Sequence, residues 1–263
     1  MPEGAHDMLD TNALAGHWPF DRLIARTPPE VETHLRAAGI TAACAYPVEA
    51  VFYPDPHVAN VEFLGQVKGS DFFIPSGVVD PTLENWCEVV DGLTCTHSVR
   101  MIRLFPNYHR YELSDSVAGD LLEHAAELDV AVAVHVRLLD ERRHHPLMQV
   151  PAVPVADVSA AAGAHPDTRI LLCCALIREA RSAFSKLRPD SQLYADISSV
   201  EYVSTIEHLV RDVPVDRVVL GTHAPLYYPH AGVAKVNDAP LPEDQVAAIK
   251  EGNARRLLGL GKR

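Results

Sequence analysis

No uncharged apolar run in this 263-residue chain approaches the ~20 residues of a membrane span, so no membrane-embedded segment is expected. Cysteine is scarce and odd in number: Cys44, Cys87, Cys95, Cys173 and Cys174, with no C-x-x-C pair. Such a set, partly inside apolar runs, excludes a disulfide framework and suits buried thiols of a reducing compartment. The opening MPEGAHDMLD lacks the basic start and apolar stretch of a secretory signal, so the expected location is the cytoplasm. Positive charge is short as well. Lysine and arginine number 23 against 35 aspartate and glutamate, a net charge of -12. That balance argues against nucleic acid and anionic membrane surfaces as partners. There is no G-x-G-x-x-G, P-loop, G-x-S-x-G or H-E-x-x-H, which leaves nucleotide cofactors, serine hydrolysis and zincin chemistry unsupported.

What is present is a regular alternation. Short apolar, often β-branched runs predict strands at 8–14, 40–48, 72–80, 98–105, 130–138, 169–175, 193–198 and 217–223. Between them, amphipathic stretches predict helices. One begins at Thr27-Pro28-Pro29-Glu30, and another follows Ser114-Asp115 with Val117, Leu121, Leu122, Ala125 and Leu128 at helical spacing. Further helices are expected at 57–69, 82–94, 156–163, 177–187, 202–212 and 243–258. Eight strands alternating with eight helices predict an α/β fold, a single (β/α)8 TIM-type barrel over 1–263. The long connections PNYHRYELS, LDERRHHPLMQVPAVP and APLYYPHAGVAKVNDAPLP follow strands 4, 5 and 8. All would lie at the carboxyl end of the barrel, where active sites of this architecture form.

Polar residues in apolar strands are costly to bury unless paired or used, and here they gather at strand ends. Parity places Asp10, Asn12 and Leu14 on one face of strand 1, and His135 with Arg137 on one face of strand 5. Arg103 ends strand 4, Cys174 strand 6, Asp196 with Ser198 lies on strand 7, and His223 follows strand 8. Each also has a plain structural role open to it. Arg103 and Arg137 would pair with Asp10, Glu141 or Asp196, Asp196 would cap a turn, and Cys174 would act as packing.

Along nearly the whole chain the residues resemble the amidohydrolase superfamily, in its amidohydrolase-related branch. The resemblance is carried by LDTNALAGHWPF, PSGVVDP, VAVHVRLLDERRHHP, HPDTRILLCCA, VVLGTHAPLYYP and GNARRLLGL. In that family a strand-1 H-x-H, histidines on strands 5 and 6 and a strand-8 aspartate bind one or two divalent metals. Here those positions hold Asn12 and Leu14, His135, Cys174 and His223. The resemblance therefore implies the fold, and it implies a metal site in which most ligands are replaced.

These readings give an amidohydrolase-like small-molecule enzyme, hydrolase by family analogy, working on an anionic carboxylate substrate at the carboxyl mouth. His135, His223 and Asp10 are the expected catalytic groups. Asn12, Arg103, Arg137, His109 and Tyr228 are the expected substrate contacts. The cofactor is none or a single divalent metal on His135, Cys174 and His223, a donor set that suits zinc. The alternatives are a metal-free lyase, decarboxylase or isomerase, and a non-catalytic barrel that binds a ligand or a partner protein. Oligomeric state stays open, a homodimer included.

Overall fold

In the computed structural model, residues 7–202 and 204–261 are described. Eight strands are found where the apolar runs lie: β1 (Leu9–Ala15), β2 (Ala42–Pro47), β3 (Phe73–Val78), β4 (Met101–Leu104), β5 (Ala131–His135), β6 (Ile170–Cys173), β7 (Leu193–Asp196) and β8 (Val218–Val219). They pair in parallel in sequence order. Backbone bonds from Thr11 N to Leu220 O (2.8 Å), His223 N to Asn12 O (2.6 Å) and Leu14 N to Ala224 O (2.9 Å) draw β1 onto the segment after β8. The sheet thereby curls into a barrel.

Helices follow most strands: α1 (Pro28–Ala37), α2 (Pro56–Val67), α3 (Trp86–Asp91), the single turn α4 (Pro106–His109), α5 (Ser116–Glu127), α6 (Val155–Ala164), α7 (Ile177–Ser185), α8 (Thr205–Leu209), α9 (Pro229–Asn237), α10 (Glu243–Ala247) and α11 (Asn253–Leu257). The start of α1 is fixed as its sequence suggests: the Glu30 carboxylate accepts from the Thr27 and Arg26 backbone N–H groups. Two expectations change. The stretch after β8, read as loop, contains α9, whose small residues Ala231, Gly232 and Ala234 carry no strong apolar stripe. The helix expected over 202–212 shortens to α8, and residue 203 lies outside the described set.

Alternation sorts the core. Val132, Val134 and Val136 face the helices, whereas Ala131 and Ala133 face inward with Leu9, Met101, Leu171, Tyr194 and Val219. Ala254, Leu257 and Leu258 join that inner cluster and plug the barrel from the amino end. A register shift between Asp10 and Ala13 corrects the parity expected of strand 1. Leu9 faces inward, Ala13 and Ala15 face the helices, and Asp10 is separated from Asn12 and Leu14.

Candidate active site

Arg103 stands at the centre of the carboxyl end. Its place opposite Val78 and Ala133 turns the side chain inward, where it is fully buried. A guanidinium carries five N–H donors, and all five are met. Nε donates to Ser76 Oγ (2.8 Å), and Nη2 to the carbonyls of Thr11 (2.8 Å) and Cys44 (3.0 Å). Nη1 lies 3.3 Å from Asn12 Oδ1 and 3.2 Å from His135 Nε2. The Tyr46 ring lies beneath it, 4.5 Å away. Arg103 forms no ion pair among the described residues. Its counter-charge comes through an amide: Asn12 Nδ2 donates to Asp196 Oδ2 at 2.7 Å. Asp196 Oδ1 accepts from Cys174 N, Ser198 N and Ser198 Oγ, and burial pushes its pKa up against the pull of these donors.

His135, which Arg103 touches, lies together with Cys174 and His223, each buried, their ligand atoms within 4.8 Å of one another. His135 stacks on Phe105 with ring centroids 4.3 Å apart. Because its Nε2 accepts from Arg103, its proton sits on Nδ1, which has no partner among the described residues. Burial, then Arg103 and His223, holds this imidazole well below its usual pKa. His223 Nε2 is 2.8 Å from Leu138 O and so carries the proton, leaving the Nδ1 lone pair facing Asn12 Oδ1 at 3.5 Å. Two acceptors do not make a hydrogen bond, so this nitrogen is also unsatisfied. Burial lowers the His223 pKa to about 4. The Cys174 thiol is pushed up to about 12, by burial first and then by Asp196. Cys174 and His223 both have left-handed backbone, φ 58° and 56°, which turns each side chain inward from its strand end at a conformational cost.

Leu14, Trp18, Tyr46, Phe105, Leu138 and Leu139 form an apolar cluster over these rings. Beside it opens a cavity of about 520 Å³ between the loops that follow β5, β6, β7 and β8. Its lining includes Arg137, Arg142, Arg143, Arg178, Glu201 and Tyr227. Tyr227 connects cavity and rings, its own ring 5.3 Å from that of His223.

The remaining predicted residues are placed differently. Arg137 lines the cavity, but its fork is held by Glu179 (both bonds 2.7 Å) and by the Cys174 carbonyl. Neither Asp10, Glu141 nor Asp196 pairs with it, and its charge is matched rather than surplus. Asp10 accepts from Thr222 N, Thr222 Oγ1 and Asn12 N in the β1/β8 seam, away from the histidines. His109 sits 3.3 Å from the Val51 carbonyl, against the edge of Phe105. Tyr228 is 73% exposed. Sequence reasoning missed Ser76, Tyr46, Phe105, Glu179 and Tyr227. Of these only Ser76, a polar residue inside an apolar strand, left a signal that could have found it.

A sequence profile of the amidohydrolase family (Amidohydro_2) matches residues 94–260, and the chain belongs to that family. No curated protein matches it in sequence. Among solved structures it is similar to 2,6-dihydroxybenzoate decarboxylase complexed with 2,6-dihydroxybenzoate. There the TM-score is 0.75 at 15% identity, covering 97% of this chain and 100% of the other. It is similar to 5-carboxyvanillate decarboxylase from Sphingomonas paucimobilis, with TM-score 0.72, 13% identity and coverage of 97% and 100%. It is also similar to a dihydroxybenzoic acid decarboxylase from Polaromonas sp. JS666 with bound manganese and 2-nitroresorcinol. That match has TM-score 0.74, 12% identity and 98% coverage of each chain. These likenesses establish the shared (β/α)8 barrel.

The residues here do not fit a divalent ion of the kind bound in the manganese complex. A metal on His135 Nε2 would have to displace the Arg103 N–H that this nitrogen accepts. A metal on Nδ1 would force the proton onto Nε2, against the same donor. Cys174 Sγ already receives Asn12 Nδ2 at 3.4 Å, and Leu14 offers no donor atom. The three ligand candidates lie together, and one of them, His135, is engaged by a fixed cation.

Proposed function

We propose that the chain is a single-domain cytoplasmic lyase that decarboxylates a small aromatic acid carrying a hydroxyl beside its carboxylate. The observation that carries this reading is the pair of unsatisfied ring nitrogens: an open lone pair on His223 Nδ1 and an unpaired N–H on His135 Nδ1, both at the carboxyl mouth. A neutral His223 takes the hydroxyl proton of the substrate and returns it to the ring carbon bearing the carboxylate. The bond from that carbon to the carboxylate then breaks, its electron pair restores the ring, and CO2 leaves. The phenolate regains a proton from solvent. His135 Nδ1–H steadies the phenolate oxygen, and the cavity beside Tyr227 admits the substrate. The decarboxylases of similar fold, one complexed with 2,6-dihydroxybenzoate and one with 2-nitroresorcinol, support this chemistry over the hydrolysis that the family description suggests.

The test is CO2 release from a panel of hydroxybenzoates. Loss of turnover in His223→Asn, with ligand binding kept, is the expected result. Full turnover in His223→Asn, or ester or lactone hydrolysis without any CO2 release, would overturn the reading. The complete burial of both rings favours one second reading, a barrel that binds an aromatic acid without turning it over. In that case the panel gives saturable binding and no product.

A further inference from the structure

We propose that Arg103 is a built-in replacement for the divalent ion. On this view the positive charge at the centre of the barrel mouth is a guanidinium, and the site works without metal. The inference does not depend on which reaction the site performs.

Position is the first argument. Arg103 Nη1 is the atom that touches both Asn12 and His135, which stand on strands 1 and 5 where the family resemblance puts metal ligands. His223, at the strand-8 position, lies 3.5 Å from the same Asn12 oxygen. The Nη1 N–H groups therefore point at the lone pairs of two of these residues, Asn12 and His135.

Saturation is the second. A buried charge is tolerated when each of its hydrogen-bonding groups is met. Here five acceptors from β1, β2, β3 and β5 meet the five N–H groups. A lysine, with three donors and no plane, would leave the Tyr46 face and two acceptors unused. Nothing in this arrangement is left over for a ligand, so Arg103 is a positioning residue. It fixes the His135 tautomer, with the proton on Nδ1, and supplies the field in which an anionic oxygen is held.

Charge balance is the third. Asn12 turns its oxygen to the cation and its amide N–H to Asp196, so the buried carboxylate and guanidinium are linked without contact. A histidine at position 12, as in the metal-binding H-x-H pattern, would have at most one ring nitrogen to turn each way. It would accept from the arginine only by presenting N–H to the carboxylate, which leaves no lone pair for a metal. The substitution of histidine by asparagine and the presence of Arg103 thus belong together.

The test is metal content and cobalt spectroscopy, neither of which requires a substrate. Among the described residues one other trio of donors lies within 4.8 Å, Cys87 and Asp91 on α3 with His124 on α5. Measurements therefore use full-length protein carrying Cys87→Ser, expressed with added manganese and zinc and purified without chelator. The expected result is no stoichiometric manganese, zinc or iron, and no thiolate charge-transfer band on titration with Co2+. One equivalent of ion that is lost in His135→Asn or His223→Asn would overturn the proposal. Arg103→Met extends the test. If it folds, it should gain a Co2+ band that Cys174→Ser removes; a folded Arg103→Met that stays blind to cobalt would also overturn it. If that variant does not fold, the measurements on the Cys87→Ser protein decide. Chelator-sensitive decarboxylation would sink this inference and leave the proposed reaction standing. Absence of decarboxylation in metal-free protein would do the reverse.

Discussion

Asp10 on β1 and Thr222 beyond β8 are joined twice, the carboxylate accepting from both the backbone N–H and the hydroxyl of the threonine. With Asn12 N as a third donor, this one side chain pins the line along which the barrel closes. Thr222 also packs its methyl against Gly232 of α9. Asp10 is fully buried, and burial raises its pKa despite these bonds. Replacing it with alanine strands three buried donors, so Asp10→Ala is expected to cost about 2–4 kcal/mol, on the order of 1–3 for each buried group left unmade and reduced by relaxation. Denaturant unfolding checks this, and Asp10→Asn should recover part of the loss.

Arg137 and Arg178 line the same cavity but should respond oppositely. Arg137→Ala leaves the Glu179 carboxylate facing it without its fork, with an expected loss of ~3 kcal/mol, the lower end for a buried pair because Glu179 keeps some exposure. The Arg178 guanidinium makes no hydrogen bond or ion pair among the described residues. Arg178→Ala is expected to leave the melting temperature unchanged and to weaken binding of a benzoate. Thermal melts beside calorimetric titrations of both variants separate the two roles.

His223 makes stability depend on pH with a definite sign. Its pKa is about 4 when folded and near 6.5 when unfolded. Between those values the unfolded chain binds the extra proton, so stability rises with pH through this window and is complete above about 6.5. From pH 7 down to 4 this group alone should remove roughly 3 kcal/mol, at 1.36 kcal/mol per pKa unit. Asp10 and Asp196, whose pKa values are raised, act in the opposite sense. The measurement is therefore the difference in unfolding free energy between the wild type and His223→Asn, which should grow by roughly 3 kcal/mol from pH 4 to pH 7.

Gly221 is where the chain passes between Asn12 and Asp196. A Cβ there would lie 2.7 Å from Asp196 Cβ and 3.2 Å from Asn12 Cβ. Gly221→Ala should therefore wedge apart the amide bridge that balances Arg103, at a cost of about 1–3 kcal/mol for overpacking. A crystal structure should show the 2.7 Å Asn12–Asp196 bond lengthened.

The sequence alone carried the barrel. Strictly alternating apolar runs and amphipathic stretches admit few arrangements, and period-two parity turned Arg103 and His135 inward correctly. The ends of strands 2 to 8 were read too long, because a strand stops where its neighbour's pairing stops. The bulge after Asp10 was invisible for a related reason: parity assumes a regular ladder, and the shift is imposed by closure onto the Leu220–Ala224 segment. The partner of Arg137 was equally hidden. Glu179 comes from the first turn of α7, and only the docking of that helix on β6 brings it within 2.7 Å. Residue types in order thus determined the fold, the inward face of β4 and β5, and the replacement of the residues that bind metal in the family. Tertiary structure alone decided how Arg103 is held, because that rests on five acceptors from four strands meeting at one point.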